Sequence, residues 1–178
     1  MNKEILQKAI DTYGEEPQIR QCMEECAELI SAIVDYAEND EADIDNIIEE
    51  MADVLITCKQ VEIISKDYVL EPAEGVESVE KLGRKTICNY TIKSLAELIK
   101  TLNKYLRGKE LPKYEICYKI SCVLLDFEFL ADLLELDGVS DIEKQLNNKI
   151  KFKLNRLKER LNSNDTVVEQ LGRRLYDH

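Results

Sequence analysis

A chain of 178 residues makes one ordinary domain or two small intertwined halves, and an apolar content of 44% is enough for a packed core. With 34% charged residues, six Gly and three Pro, the composition favours a helical protein with a solvated surface over an all-β one. A net charge of −12 argues against a general nucleic-acid or membrane-surface binder, whose phosphates it would repel. A small anionic substrate is admissible only with a metal between it and the acids.

The opening MNKEILQKAI lacks an apolar signal core, and no run of about 18 apolar residues is present to span a bilayer, so a cytoplasmic location is expected. Cys22, Cys26, Cys58, Cys88, Cys117 and Cys122 form no CxxC and sit inside apolar helical patterns, so they read as small buried hydrophobes. The single histidine is the last residue, His178. That removes Ser/His, Cys/His and zinc-site chemistry, the Glu-x-x-His ligation of di-iron bundles, and phosphohydrolases built on a His-Asp pair.

In chain order, residues 3–13 pattern as a short amphipathic helix (Ile5, Leu6, Ala9, Ile10, Tyr13) stopped by Gly14. Pro17 sits where a first helical turn tolerates it. From there to about Ala37, Ile19, Cys22, Met23, Cys26, Ile30, Ile33 and Val34 recur at helical period. Leu29 and Tyr36 mark the edge of that arc, with Glu25 beside it, Glu28 further out and Glu24 on the solvent side. Asn39 or Asp40 is expected to cap the next helix, which runs to about Lys66. On that helix Val61 and Val54 flank Glu50, and Ile64 borders Asp53. An unpaired carboxylate among apolar neighbours is expensive, so such a pair calls for a cation or hydrogen-bond donors.

The segment 71–77 (EPAEGVE) is the best boundary in the chain. A second helical set follows, at about 76–82, 85–106, 111–136 and 140–162, with Gly108 and Pro112 punctuating one turn. Beyond Asn162-Ser163-Asn164-Asp165 a loosely held tail is expected, with one short helix near Val167–Leu175. The chain divides into 1–70, 71–137, 138–162 and 163–178.

The chain is organised around the stretch from Gln21 to Cys58, which holds twelve carboxylates and no Lys or Arg. Acids without basic partners repel one another unless a cation is expected. Glu25 and Glu28 are three apart, as are Glu50 and Asp53, and helical residues three apart are surface neighbours, roughly 5–6 Å between Cβ atoms. Two such pairs on facing helices would bring four carboxylates together, a hard-oxygen set suited to Mg²⁺ or Mn²⁺.

The two halves repeat one another. A shift of 69 places Ala27-Glu28-Leu29-Ile30 on Ala96-Glu97-Leu98-Ile99, Val54-Leu55 on Val123-Leu124, and Gly14 on Gly83. The acids do not repeat: Glu24, Glu25, Glu50 and Asp53 fall on Lys93, Ser94, Lys119 and Cys122, and only Glu28 has a counterpart, Glu97. Lys119 reads as a structural salt-bridge former. The helix Asn148–Leu161 carries Lys149, Lys151, Lys153, Arg156, Lys158 and Arg160 against Glu159 alone. Lys149, Lys153 and Arg156 share a face, as donors for phosphate oxygens would.

Glu24-Glu25-Cys26-Ala27-Glu28 followed by Glu50-Met51-Ala52-Asp53 resembles the EExxE and ExxD signature of the MazG-like, all-α nucleoside triphosphate pyrophosphohydrolases. The leader Tyr13-Gly14…Gln18 and the flanks Leu29-Ile30 and Val54-Leu55 fit the same family. The likeness covers about 1–66, and Lys149-Ile150…Lys153…Arg156 more loosely resembles the family's trailing basic helix. The resemblance implies an all-α bundle, here an internally duplicated pseudo-dimer with one site per chain. It implies hydrolysis of a (deoxy)nucleoside triphosphate between its α and β phosphates. Glu25, Glu28, Glu50 and Asp53 would hold Mg²⁺ (Mn²⁺ as an alternative), and Glu24 or a member of the set such as Glu25 would take the water's proton. Lys149, Lys153 and Arg156 would hold the phosphate tail, and Gln18 and Gln21 could reach the base. A homodimer of the fused chain stays open, and so does a non-catalytic scaffold or nucleotide binder.

Overall fold

The computed structural model describes residues 1–39, 42–66, 79–112 and 114–176, with backbone only at residue 80 and from 164 onward. Every regular element among them is helical. No helix among the described residues is long and apolar enough to cross a membrane.

The first helix, α1 (Lys3–Tyr13), starts at Asn2, whose side-chain oxygen accepts from the Glu4 amide at 3.1 Å, and ends at Gly14. Gly14 adopts φ +96°, a conformation that side-chain-bearing residues rarely enter. The kink turns the chain directly into α2 (Glu15–Glu38). An aspartate caps α3 (Ile44–Ser65), but it is Asp43, which accepts from the Asn46 amide at 3.1 Å. Asn39 instead terminates α2, its amide donating to Asp35 O at 2.9 Å, and Asp40 lies outside the described residues. The apolar face of α3 begins only at Ile47 and Ile48, so the cap sits one turn before it, later than the acidic link alone suggested.

The boundary expected at 71–77 lies outside the described residues. Beyond it come the single turn α4 (Val79–Leu82), then α5 (Arg84–Leu106) and α6 (Glu115–Leu136). The third expected helix of this set therefore starts four residues late, because Pro112 closes the turn rather than opening the helix: its carbonyl accepts from the Glu115 amide at 2.9 Å. The last element, α7 (Ile142–Tyr176), runs unbroken through Asn162 to Asp165. The stop expected there is absent. Isolated Asn, Ser and Asp are weak helix formers rather than breakers.

Helices α2, α3, α6 and α5 pack side by side in a closed ring, with no contact across either diagonal among the described residues. Directions follow from the ends that meet. Tyr36 near the end of α2 touches Arg84 at the start of α5 and Asp137 just past α6. Ser65 at the end of α3 approaches Cys117 at the start of α6 at 3.5 Å. The result is an antiparallel four-helix bundle. The cysteines are free, and all but the half-buried Cys122 are buried.

The buried face of α2 is rotated relative to its apolar pattern. Leu29 and Tyr36, expected at the edge, are 0% and 2% exposed, whereas Val34, expected inside, is 41% exposed. Helix α2 packs on both α3 and α5, and this double contact turns Ala32 and Leu29 inward. The turn carries Glu25 from beside the core to its margin. On the other side, α1 and α7 close over α3 through a small second cluster of Leu6, Ile56 and Leu154. Helix α7 touches α3 but not α2, which leaves a cleft between α2 and α7 with α3 as its floor.

Candidate metal centre

Glu25 and Glu28 of α2 and Glu50 of α3 each offer a carboxylate oxygen within 4.8 Å of the others, a set able to hold a metal ion. The three-residue spacing on α2 and the antiparallel pairing with α3 bring them together. Glu25 and Glu50 are half-buried and Glu28 is exposed, so the cluster sits at the rim of the bundle. One oxygen of Glu50, Oε2, is buried with no hydrogen-bond partner. A buried acceptor left unpaired is costly and uncommon.

Charge crowding shows in the acidities. Burial, then repulsion from Asp53, Glu28 and Glu50, pushes Glu25 up to about 7, against the hydrogen bond that the Gln21 amide donates to it. Burial raises Glu50 as well, followed by repulsion from Glu28 and Asp53. A divalent cation would reverse both shifts, because it favours the charged carboxylates. The donor set is all oxygen, with no thiol or imidazole, and fits Mg²⁺ or Mn²⁺.

Asp53 stands one turn beyond Glu50, outside this trio, and its carboxylate accepts a hydrogen bond from Lys153. Burial nonetheless raises its pKa, with Lys153 opposing. Lys153 also reaches Glu49 at 3.0 Å, while Lys149 reaches Asp45 at 2.8 Å and Glu49 at 3.2 Å. Those contacts, Lys153 and Lys149 in that order, hold Glu49 below the usual carboxylate range. The expectation that the acids lack basic partners therefore fails for Asp45, Glu49 and Asp53. Lys149 and Lys153 are engaged by α3 rather than free for a phosphate tail. The signal was in the spacing: Asp45, Glu49 and Asp53 form a stripe at intervals of four, and Lys149 and Lys153 form the matching stripe.

Arg156 is exposed, lies 5.8 Å from the centroid of the Phe152 ring, and lines a second hollow with Tyr13 and Arg160. Glu24 is exposed on α2, outside the trio. Gln18 and Gln21 line the cleft between α2 and α7, together with Glu25, Asp53 and Lys153. The cleft has a volume of about 410 Å³, within the range of small-molecule sites. Its remaining wall includes Gln60 and Arg160, which the motif-based reading left out. Gln60 lies one heptad after Asp53 and so on the same face of α3.

A scan of family models, a search of curated proteins and a search of solved structures each return no match to this chain. The assignment of function rests on the chain's own residues.

Proposed function

We propose that this protein is a Mg²⁺-dependent nucleoside triphosphate pyrophosphohydrolase of the MazG-like type, releasing a monophosphate and pyrophosphate. The observation that carries the reading is the convergence of Glu25, Glu28 and Glu50, one of which, Glu50, also holds a buried oxygen without a partner. Further support comes from the cleft that opens beside this trio, and from the order and spacing of the EExxE and ExxD motifs. The same reading takes the chain as a fused pseudo-dimer. Helices α2 and α5 begin 69 residues apart after glycines of positive φ, +96° and +72°, and the pairs α2–α3 and α5–α6 pack alike.

When bound, the metal supplies neutralisation of phosphate charge and a lowered pKa for the attacking water. Glu25, Glu28 and Glu50 hold it, and Asp53 completes the set if Lys153 yields it. Glu24, on the open side of α2, or Glu25 would take the water's proton; the raised pKa of Glu25 belongs to the metal-free site and would fall once an ion bound. Lys153 lines the cleft and would serve a phosphate oxygen by leaving Asp53 and Glu49, and Arg160, seven residues along α7 and on the same face, lines the cleft with it.

The test is product analysis with Mg²⁺ and a panel of triphosphates. Equal amounts of pyrophosphate and monophosphate are expected. Stepwise release of inorganic phosphate would assign another reaction. A second reading, a helical nucleotide binder or scaffold without turnover, is favoured by the lysines that already neutralise Asp45, Glu49 and Asp53. Tight nucleotide binding with no product in the same panel would establish it.

A further inference from the structure

We infer that Gln60 reads the base of the nucleotide, an inference that rests on the triphosphate chemistry proposed above. Gln60 is 2% exposed, lines the cleft, and has no hydrogen-bond partner among the described residues. No protein group among them satisfies its carboxamide, whose polar atoms are left to whatever fills the cleft, water or a ligand that replaces it. Neighbouring Thr57 does not serve it, because the Thr57 hydroxyl donates to Asp53 O at 2.9 Å on its own helix.

The surroundings select a planar ligand. Pro17 of α2, Ile56 of α3 and Leu157 of α7 supply apolar walls, and Tyr13 stands at the mouth. A ring with apolar faces and a polar edge suits that slot; a phosphate does not. A carboxamide presents one donor and one acceptor side by side, the pattern with which Gln pairs to a base edge. Gln60 lies seven residues beyond Asp53 on the same face of α3, about 10 Å along the axis at roughly 1.5 Å per residue. That is the order of the distance from a metal-bound phosphate to the far edge of its base. Gln18 lies across the cleft as a second polar edge.

The experiment uses the full chain with Mg²⁺, the four common deoxynucleoside triphosphates and inorganic triphosphate, measured by calorimetry and by product release. Gln60→Met keeps length and removes the hydrogen bonds; Gln60→Asn withdraws the amide by one methylene and guards against a folding artefact in the first variant. The expected result is a loss of tenfold or more in affinity for the preferred nucleotide in both variants, with affinity for inorganic triphosphate unchanged. Unchanged nucleotide binding in the variants, or equal loss of both ligands, would overturn the assignment. If the wild type binds nucleotides base-selectively through Gln60 but releases no pyrophosphate, the base site stands and the hydrolytic reading falls. If it binds no nucleotide, both fall.

Discussion

Lys119 Nζ lies 3.8 Å from the Glu97 carboxylate, and these two residues stand 69 positions beyond Glu50 and Glu28. Where the first half sets carboxylate against carboxylate, the second sets ammonium against carboxylate, and Lys100 adds a second contact to Glu97 at 2.9 Å. The charge imbalance is thus local to α2 and α3: the positions 69 residues on, in α5 and α6, carry a neutral pair.

Exchange should therefore be possible in the other direction. Lys119→Glu combined with Ser94→Glu rebuilds around Glu97 the trio of Glu25, Glu28 and Glu50. The double variant is expected to bind a second equivalent of Mn²⁺, counted by the loss of free-ion paramagnetic resonance signal, and to be less stable than wild type in chelator. A folded double variant that still binds a single equivalent would sink the equivalence of the two positions.

Glu50→Gln removes one charge from three that repel one another and gives the orphaned position a donor of its own. Metal-free protein should melt higher by a few degrees, of the order produced by about 1 kcal/mol in a domain of this size, while the Mg²⁺-induced rise in melting temperature and the turnover both disappear. Stability and activity moving in opposite directions is the signature of a site that is costly when empty. If both fall together, Glu50 is structural.

The helices were legible because period and punctuation agree: Gly14, Pro17 and the apolar runs place α1, α2 and α3 within a few residues. The facing of α2 was not. Its burial is set by two neighbours at once, and a pattern on one helix cannot report the second. Glu25, Glu28 and Glu50 were readable as a cluster from spacing. The state of Asp53 was not, because its partner Lys153 lies 100 residues away. A contact of that kind depends on how α7 lies along α3, which only the packing of Leu154 on Ile56 and Leu6 decides. Gln60 carries no motif and emerges only once a cleft surrounds it.

Lys153→Met separates two roles of that lysine. Its side chain is 18% exposed and it serves Asp53 and Glu49 together. Removing it leaves Asp53 without an ammonium and Glu49 with Lys149 alone, and the metal-free protein should lose about 1–2 kcal/mol, less than a fully buried pair would. Mg²⁺ should bind more tightly, since Asp53 is released to it, while kcat/KM falls tenfold or more through loss of the phosphate contact. Denaturant melts and a Mg²⁺ titration measure the first two. Weaker metal binding in this variant would mean that Lys153 shapes the site rather than competing for it.

The acidity of Glu25 makes a prediction with a definite sign. Its folded pKa, about 7, stands above the ordinary 4.5, so the folded state holds this proton more tightly than the unfolded chain. The stabilisation is complete below about pH 4.5 and is lost as pH rises through about 7. Glu50 and Asp53, both raised, act in the same direction. Glu49, which is lowered, acts oppositely, but only as pH falls through the acid range below 4.5. Between pH 5 and 8 the metal-free protein should therefore lose melting temperature steadily. Mn²⁺ or Mg²⁺ competes with the same proton, so apparent metal affinity should rise by up to about tenfold per pH unit below 7 and flatten above it. The stabilisation conferred by metal should accordingly be larger at pH 8 than at pH 5. Thermal melts at four pH values with chelator and with metal decide it: a metal increment independent of pH would show that no carboxylate in the trio gives up a proton to the ion. In Glu25→Gln the remaining pH dependence should shrink, which ties the effect to this residue rather than to the net charge of the chain.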